Sequence, residues 1–376
     1  MEHAEIIAWL RQTDESRLAE LWQRADRVRQ QTVGGQVHLR GLVELSNYCV
    51  RLCAYCGLRS ANQRLTRYRM TETEAMACAG EAVALGYGTV VLQSGEDPGL
   101  TRDGVAQLVR RIKSETRLAV TLSLGEREVD ELAAWREAGA DRYLLRFETS
   151  NRELFDRIHP PLPGRRSDRI ELLRTLRRLG YEVGSGVMIG IPGQTYDDLA
   201  RDVEMFRTLD LDMIGVGPYL MHPETPLGEK VAGTLRVPSA EFGTNLADGT
   251  RSVPATFDQA PSTELMTYKM IALARLACPR ANIPSTTALA TLNTRNGREL
   301  GLVRGANVIM PNLTPPQYRV HYEIYPNKAC IAETAGTCGR CIESRIRSIG
   351  RTTGDGRGDS PNFSARREVA EKPESR

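Results

Sequence analysis

Along most of the chain, apolar positions alternate between two patterns. Short aliphatic and β-branched runs at about residues 37–45, 89–93, 119–124, 142–146, 183–189, 213–216, 283–288 and 307–310 read as strands. Between most of them the apolar positions take helical spacing. Residues 71–85 open on Thr71-Glu72-Thr73-Glu74 and stop at Gly86, and residues 169–179 stop at Gly180. Repeated strand–helix alternation implies a parallel sheet, and eight runs fit an α/β fold of the (β/α)8 TIM-barrel type, over residues 36–312, better than an open sheet. Residues 1–35 read as an N-terminal helical cap, with Leu18, Leu21, Trp22, Ala25 and Val28 at helical spacing and Gly34-Gly35 as the stop. The stretch 218–262, rich in Gly, Pro, Ser and Thr, reads as a surface loop or insertion. A C-terminal segment, 313–350, follows the barrel. The polar tail, 351–376, is expected to be disordered, and its Arg357-Gly358-Asp359 tripeptide reads as a chance match to an adhesion motif.

Composition narrows the picture. At 376 residues, with 41% hydrophobic and 26% charged, the chain is an ordinary globular one. Its mean hydropathy is -0.36, and no apolar run approaches the roughly 20 residues of a membrane span. The first ten residues lack the apolar core of a cleavable signal, so a cytoplasmic location is expected. A net charge of +3, from 50 basic and 47 acidic residues, makes no electrostatic case for nucleic acid.

Of the eight cysteines, Cys49, Cys53 and Cys56 form one cluster and Cys330, Cys338 and Cys341 another, while Cys78 and Cys278 stand alone in helical patterns. Tight triads in a long chain without an export signal point to metal rather than disulfides. The first triad, Cys-x3-Cys-x2-Cys, follows the first strand, on the face where barrel active sites lie. Three thiolates can hold three corners of a cubane and leave the fourth iron open. Structural zinc asks for four ligands, and His38 is not at a familiar spacing from the triad.

This triad, with Tyr55 before its last cysteine, resembles the signature of the radical S-adenosylmethionine (SAM) superfamily. The resemblance implies a [4Fe–4S] cluster whose open iron chelates SAM, and one-electron cleavage of SAM to methionine and a 5′-deoxyadenosyl radical. Ser94-Gly95-Glu96-Asp97, after the second strand, is similar to the superfamily's Gly-Gly-Glu motif for the SAM amino group, with Ser in place of the first Gly. Residues 184–195, including Gly190, resemble the segment that packs on adenine and ribose. Further segments (40–58, 92–98, 121–126, 141–149, 180–195, 283–288 and 305–314) resemble the HydE family of [FeFe]-hydrogenase maturases over most of residues 10–350. The substrate that this implies is an iron–cysteine complex with carbonyl and cyanide ligands, small and organometallic or amino-acid-like, attacked at the cysteine sulfur. The implied partners are the maturases HydG and HydF and a reductant such as ferredoxin or flavodoxin, with neither nucleic acid nor membrane.

Several residues have both a plain reading and one from the resemblance. Arg146 and Glu148 point the same way at the end of the fourth strand, so they either satisfy each other or bind SAM and substrate. Arg169 reads as a solvated helix residue, whereas the resemblance has it reach the SAM carboxylate. Thr286 and Thr287 read as a helix N-cap or as hydroxyls for an anionic complex. Tyr325 and Met310 read as core residues or as cavity lining. The triad of Cys330, Cys338 and Cys341 reads as a site for a second Fe–S cluster, for a zinc ion or for nothing, and the resemblance implies an accessory cluster at this spacing that is dispensable for the chemistry. His159, His222 and His321 show no metal-ligand spacing and are assigned no chemistry. The alternatives are a methylornithine synthase, a biotin synthase-like enzyme, and a non-catalytic Fe–S electron-transfer or metal-binding protein. Biotin synthase needs a second cluster held by barrel cysteines, and no predicted strand between Cys78 and Cys278 carries one.

Overall fold

The computed structural model describes residues 1–164, 166–229, 258–329, 331 and 335–370. Two helices, α1 (His3–Arg11) and α2 (Glu15–Val33), precede β1 (Gln36–Ser46). The break between them comes at Asp14, which caps α2 by accepting the Arg17 N–H. Gly34, at φ 80°, ends α2 as expected. The barrel then runs α3 (Glu72–Ala84), β2 (Thr89–Ser94), α4 (Arg102–Glu115), β3 (Ala119–Ser123), α5 (Val129–Glu137), β4 (Arg142–Leu144), α6 (Arg152–Ile158), α7 (Arg169–Arg178), β5 (Glu182–Ile189), α8 (Tyr196–Thr208) and β6 (Met213–Pro218). Thr71 and Glu74 form a capping box at the start of α3. After helices Glu264–Ala277, Thr287–Leu292 and Gly297–Leu302 comes β7 (Val308–Ile309).

The strands are parallel in the order β6-β5-β4-β3-β2-β1-β7. The expected seventh strand, at 283–288, is instead a pair of bridges, Met213↔Asn282 and Pro284↔Val308, which join β6 to β7 and close the ring. Pro284 has no N–H to give a ladder, and the Asn307 side chain takes the Ile283 N–H at 2.8 Å and donates to Asn282 Oδ1 at 2.8 Å. The fourth strand is shorter than expected. Beyond Leu144 the chain leaves the ladder and reaches Glu148 at φ 63°, held by Glu148 N–H to Gly186 O at 3.1 Å. β1, between β2 and β7, is buried from Leu39 to Ser46. α1 and α2 lie outside the barrel, against α8 and the Glu264–Ala277 helix.

The tail is a correction. Residues 351–370 are ordered, with β8 (Thr352–Thr353) pairing with β1 at Gln36 and Val37, and a helix over Pro361–Ala370. Between them, the carbonyls of Arg357 and Gly358 accept from Thr89, Arg142, Arg40 and Asn282, and Asp359 pairs with Arg142. The tripeptide is thus spent on the N-terminal ends of the barrel strands. Polar composition misleads here because the partners are arginines buried by the barrel, not apolar surface of the tail itself. Most of the expected surface loop, 230–257, lies outside the described residues, as do residues 371–376.

Candidate active site

The first cysteine triad lies on the loop from β1 to α3, at the C-terminal end of the barrel strands. Main-chain bonds fasten this loop to its surroundings: Val50 N–H to Glu96 O (3.0 Å), Ala54 N–H to Ile158 O (2.8 Å) and Gly57 N–H to Ile324 O (2.9 Å). The Arg67 guanidinium ties four of the loop's own carbonyls together, those of Asn47, Leu58, Arg59 and Asn62. Gly57 and Gly95 permit the close approach. A Cβ on Gly95 would fall 2.7 Å from the Cys49 Cβ, and one on Gly57 would fall 2.2 Å from Glu323 O.

The three sulfurs share this enclosure. Burial raises all three thiols, Cys53 far above its ordinary value with the charges of Cys56 and Cys49 adding to it, and Cys56 to about 12 with Cys49 adding to it. Such thiols deprotonate when a cation binds among them. Main-chain N–H groups already point at two of the sulfurs, those of Arg51 and Glu96 at Cys49 and that of Leu58 at Cys56. Three enclosed thiols, Cys53 buried and Cys49 and Cys56 half-buried, close enough to feel one another, fit an iron–sulfur cluster with one iron left open.

Behind the triad lies a buried ionic network. Arg51, inside the cysteine motif, pairs with Glu96 and, at 2.9 Å, with Glu126. Arg169 donates from Nε to Glu126 Oε1 at 2.8 Å, from Nη1 to Arg146 O at 2.7 Å, and lies 3.5 Å from Glu96. Ser167 donates to Glu126 Oε1 at 2.5 Å. Burial alone would raise the Glu126 carboxyl, but contacts with His159, Arg169, Ser167 and Arg51 outweigh it and hold the group well below the usual carboxylate range. Burial and the charge of Arg169 push His159 down to about 4, so its ring is neutral at pH 7. Ligand atoms of Glu96, Glu126 and His159 fall within 4.8 Å of one another. The two carboxylates, however, are already neutralised by the two guanidiniums, which leaves no charge for a cation to balance.

Tyr55 and Glu148 meet on another flank, hydroxyl to Oε1 at 3.4 Å. Arg146 Nη2 lies 3.1 Å from Glu148 Oε2 as an ion pair and donates to Val187 O at 2.6 Å, while Glu148 Oε2 and Arg146 Nε are buried with no hydrogen-bond partner among the described residues. Gly190 is required by its φ of 76° and by the Ser262 backbone, 2.3 Å from where its Cβ would be. Ser94 turns its hydroxyl to Gly95 O. Thr286 spends its hydroxyl capping the Thr287–Leu292 helix, in line with its plain reading. The phenol of Tyr325 is raised by burial and by Glu44, and bonds to Thr291. Met310 is half-buried just past β7. Arg169 is buried, not solvated.

Sequence reasoning overlooked Arg51, Glu126, His159 and the buried Glu44–Lys328 pair. Arg51 and Glu126 stood inside segments already singled out, at loop positions after strands. His159 gave no spacing signal, because its partners come from three other segments. In the second triad, Cys330 and the side chain of Cys338 lie outside the described residues, and Cys341 is exposed on the Ala335–Ser348 helix.

A model of the Radical SAM superfamily matches residues 43–206, the stretch that carries the triad and the network. The [FeFe] hydrogenase maturase subunit HydE of Thermotoga maritima is 42% identical over 89% of this chain and 86% of its own length. The chain belongs to the HydE family of radical SAM enzymes. The 3-methylornithine synthase of Methanosarcina acetivorans is similar at 26% identity, over 81% of this chain and 77% of its own. A crystal structure of methylornithine synthase shares the fold, with a TM-score of 0.76 at 23% identity over 98% of this chain and 96% of that one. Radical SAM enzymes use a [4Fe–4S] cluster and SAM, and this HydE-family barrel is one of them. Among its described residues no helix is long and apolar enough to cross a membrane.

Proposed function

We propose that this protein is a hydrogenase maturase, acting on an iron–cysteine complex with carbonyl and cyanide ligands during assembly of the two-iron subcluster of [FeFe]-hydrogenase. The observation that carries this reading is the enclosed triad of Cys49, Cys53 and Cys56 on the loop after β1 in a chain 42% identical to a named HydE. These cysteines are the cluster ligands. When bound, the cluster supplies the electron that cleaves SAM to methionine and a 5′-deoxyadenosyl radical. The protein's own part is to bind, orient and exclude water. Ser94, Gly95 and Glu96 face the SAM amino group, and Arg169 its carboxylate. Tyr55, Glu148 and Gly190 border the nucleoside. Arg146, Thr286, Thr287, Met310 and Tyr325 border the substrate, the hydroxyls and the guanidinium suiting an anionic complex. The Cys330, Cys338 and Cys341 triad holds an accessory cluster outside the chemistry. HydG supplies the substrate, HydF receives the product, a ferredoxin or flavodoxin reduces the cluster, and all meet in the cytoplasm.

The test is anaerobic maturation of apo-hydrogenase in a mixture with and without this protein, alongside an assay for 5′-deoxyadenosine. Maturation that is the same without it removes the maturase reading. Turnover of lysine to methylornithine would replace it with the synthase, and an intact cluster that never cleaves SAM would leave an electron-transfer module.

A further inference from the structure

The sulfur of Cys53 is served differently from the other two. Cys49 and Cys56 receive main-chain N–H groups, while Cys53 faces a side chain, with His159 Nδ1 2.9 Å from its sulfur. We propose that His159 is a positioning residue for the cluster, donating to the Cys53 sulfur a hydrogen bond that raises the cluster's reduction potential. The inference rests on the reading of the first triad as cluster ligands.

The ring is fixed from several sides. His159 follows α6 directly, and its N–H bonds Phe155 O at 2.8 Å. The preceding carbonyl, of Ile158, accepts the N–H of Ala54, the residue after Cys53. Main-chain geometry therefore ties ring and sulfur together. The side chain is fully buried, its ring centroid 5.0 Å from that of Phe155. The sulfur settles where the hydrogen of this contact lies: one that ligates iron has none of its own and can only accept, so Nδ1 carries it. Nε2 faces Glu126 Oε1 at 3.2 Å, and Arg169 Nη2, 3.1 Å from Nε2 and 3.4 Å from Nδ1, is in line with neither nitrogen. Hydrogen bonds to cluster sulfurs are among the determinants of cluster potential. An N–H donor stabilises the reduced cluster, which carries the extra negative charge.

The experiment is a potentiometric titration of the reconstituted protein, followed by the spectrum of the reduced cluster, after iron and sulfide have been counted. His159→Phe keeps a ring and loses the donor. Its midpoint is expected to fall by a tenfold change in the reduction equilibrium, about 59 mV for one electron. His159→Asn, whose amide N–H can reach the position of Nδ1, is expected to recover most of that. An unchanged midpoint in a fully loaded His159→Phe protein overturns the inference, as does an equal shift in both variants. If His159→Phe takes up no iron, His159→Asn and His159→Gln decide. Asn near wild type with Gln lowered supports the donor role, and equal values overturn it. A wild-type protein that assembles no cluster dependent on Cys53 refutes the triad reading itself.

Discussion

At the scale of single residues, charge is placed where the barrel can bury it only because it is paired. Glu126 carries most of this burden, since Arg51, Arg169 and Ser167 all converge on it. Replacing Glu126 by Gln leaves two buried guanidiniums with one full carboxylate, and is expected to cost about 3 kcal/mol at pH 7, measured by anaerobic chemical denaturation. The sign of its pH dependence follows from a carboxyl held below its ordinary value. The advantage of wild type is fully present above the unfolded value of about 4.5 and shrinks as pH falls below it towards the folded value. The cysteines allow a sharper contrast. Cys53→Ala is expected to abolish 5′-deoxyadenosine formation in the reduced protein. Cys338→Ala is expected to keep most of it, and equal loss in both would reverse the ranking of the triads.

At the scale of elements, the short polar link from β4 to α6 meets α8 at an acid in an unusual state. Asp202, buried on α8, accepts from the N–H and hydroxyl of Ser150 at 2.6 Å each. Burial raises its carboxyl to about 7. The folded state therefore holds a proton that the unfolded chain releases near pH 4, and Asp202's contribution to stability is lost as pH rises towards 7 and beyond. Asp202→Asn keeps the acceptor and cannot ionise. It is expected to match wild type near pH 4 and to exceed it at pH 8 by about 2–4 kcal/mol, read from denaturation midpoints at the two pH values. The same scale explains where strand prediction stopped short. The seventh run looked like a strand because Ile283 is apolar, yet Pro284 and the side chain of Asn307 turn its ladder into isolated bridges. The fourth run was over-extended because Arg146 and Glu148 keep a strand-like alternation while Glu148 takes a positive φ.

For the whole molecule, the C-terminal segment is part of the barrel rather than an appendage. Arg142 pairs with Glu182 and Asp359, and among the described residues the hydrogen-bond partners of Arg40 are the Gly358 carbonyl and the Met213 sulfur. Ending the chain at Gly350 would take the tail's acceptors from both guanidiniums, and is expected to destabilise the fold by about 3–5 kcal/mol in thermal or chemical unfolding. A truncated protein as stable as the full chain would show that water replaces these bonds without loss. The tail's order was not legible from its composition, because a polar segment becomes ordered only when something else supplies buried partners.

The sequence by itself determined the parallel barrel, through its alternation of strand and helix periods, and the site's place, through three cysteines after the first strand. Both are local signals: a period along the chain and a spacing within eight residues. Only the tertiary structure decided which side chains surround the sulfurs. Arg51 follows β1, Glu126 follows β3, and His159 and Arg169 lie on the connection after β4; they meet because parallel strands deliver their C-terminal ends to one face. The tail's role was decided in the same way at the opposite face, since burying Arg40 and Arg142 creates a need for acceptors that no pattern within the tail announces.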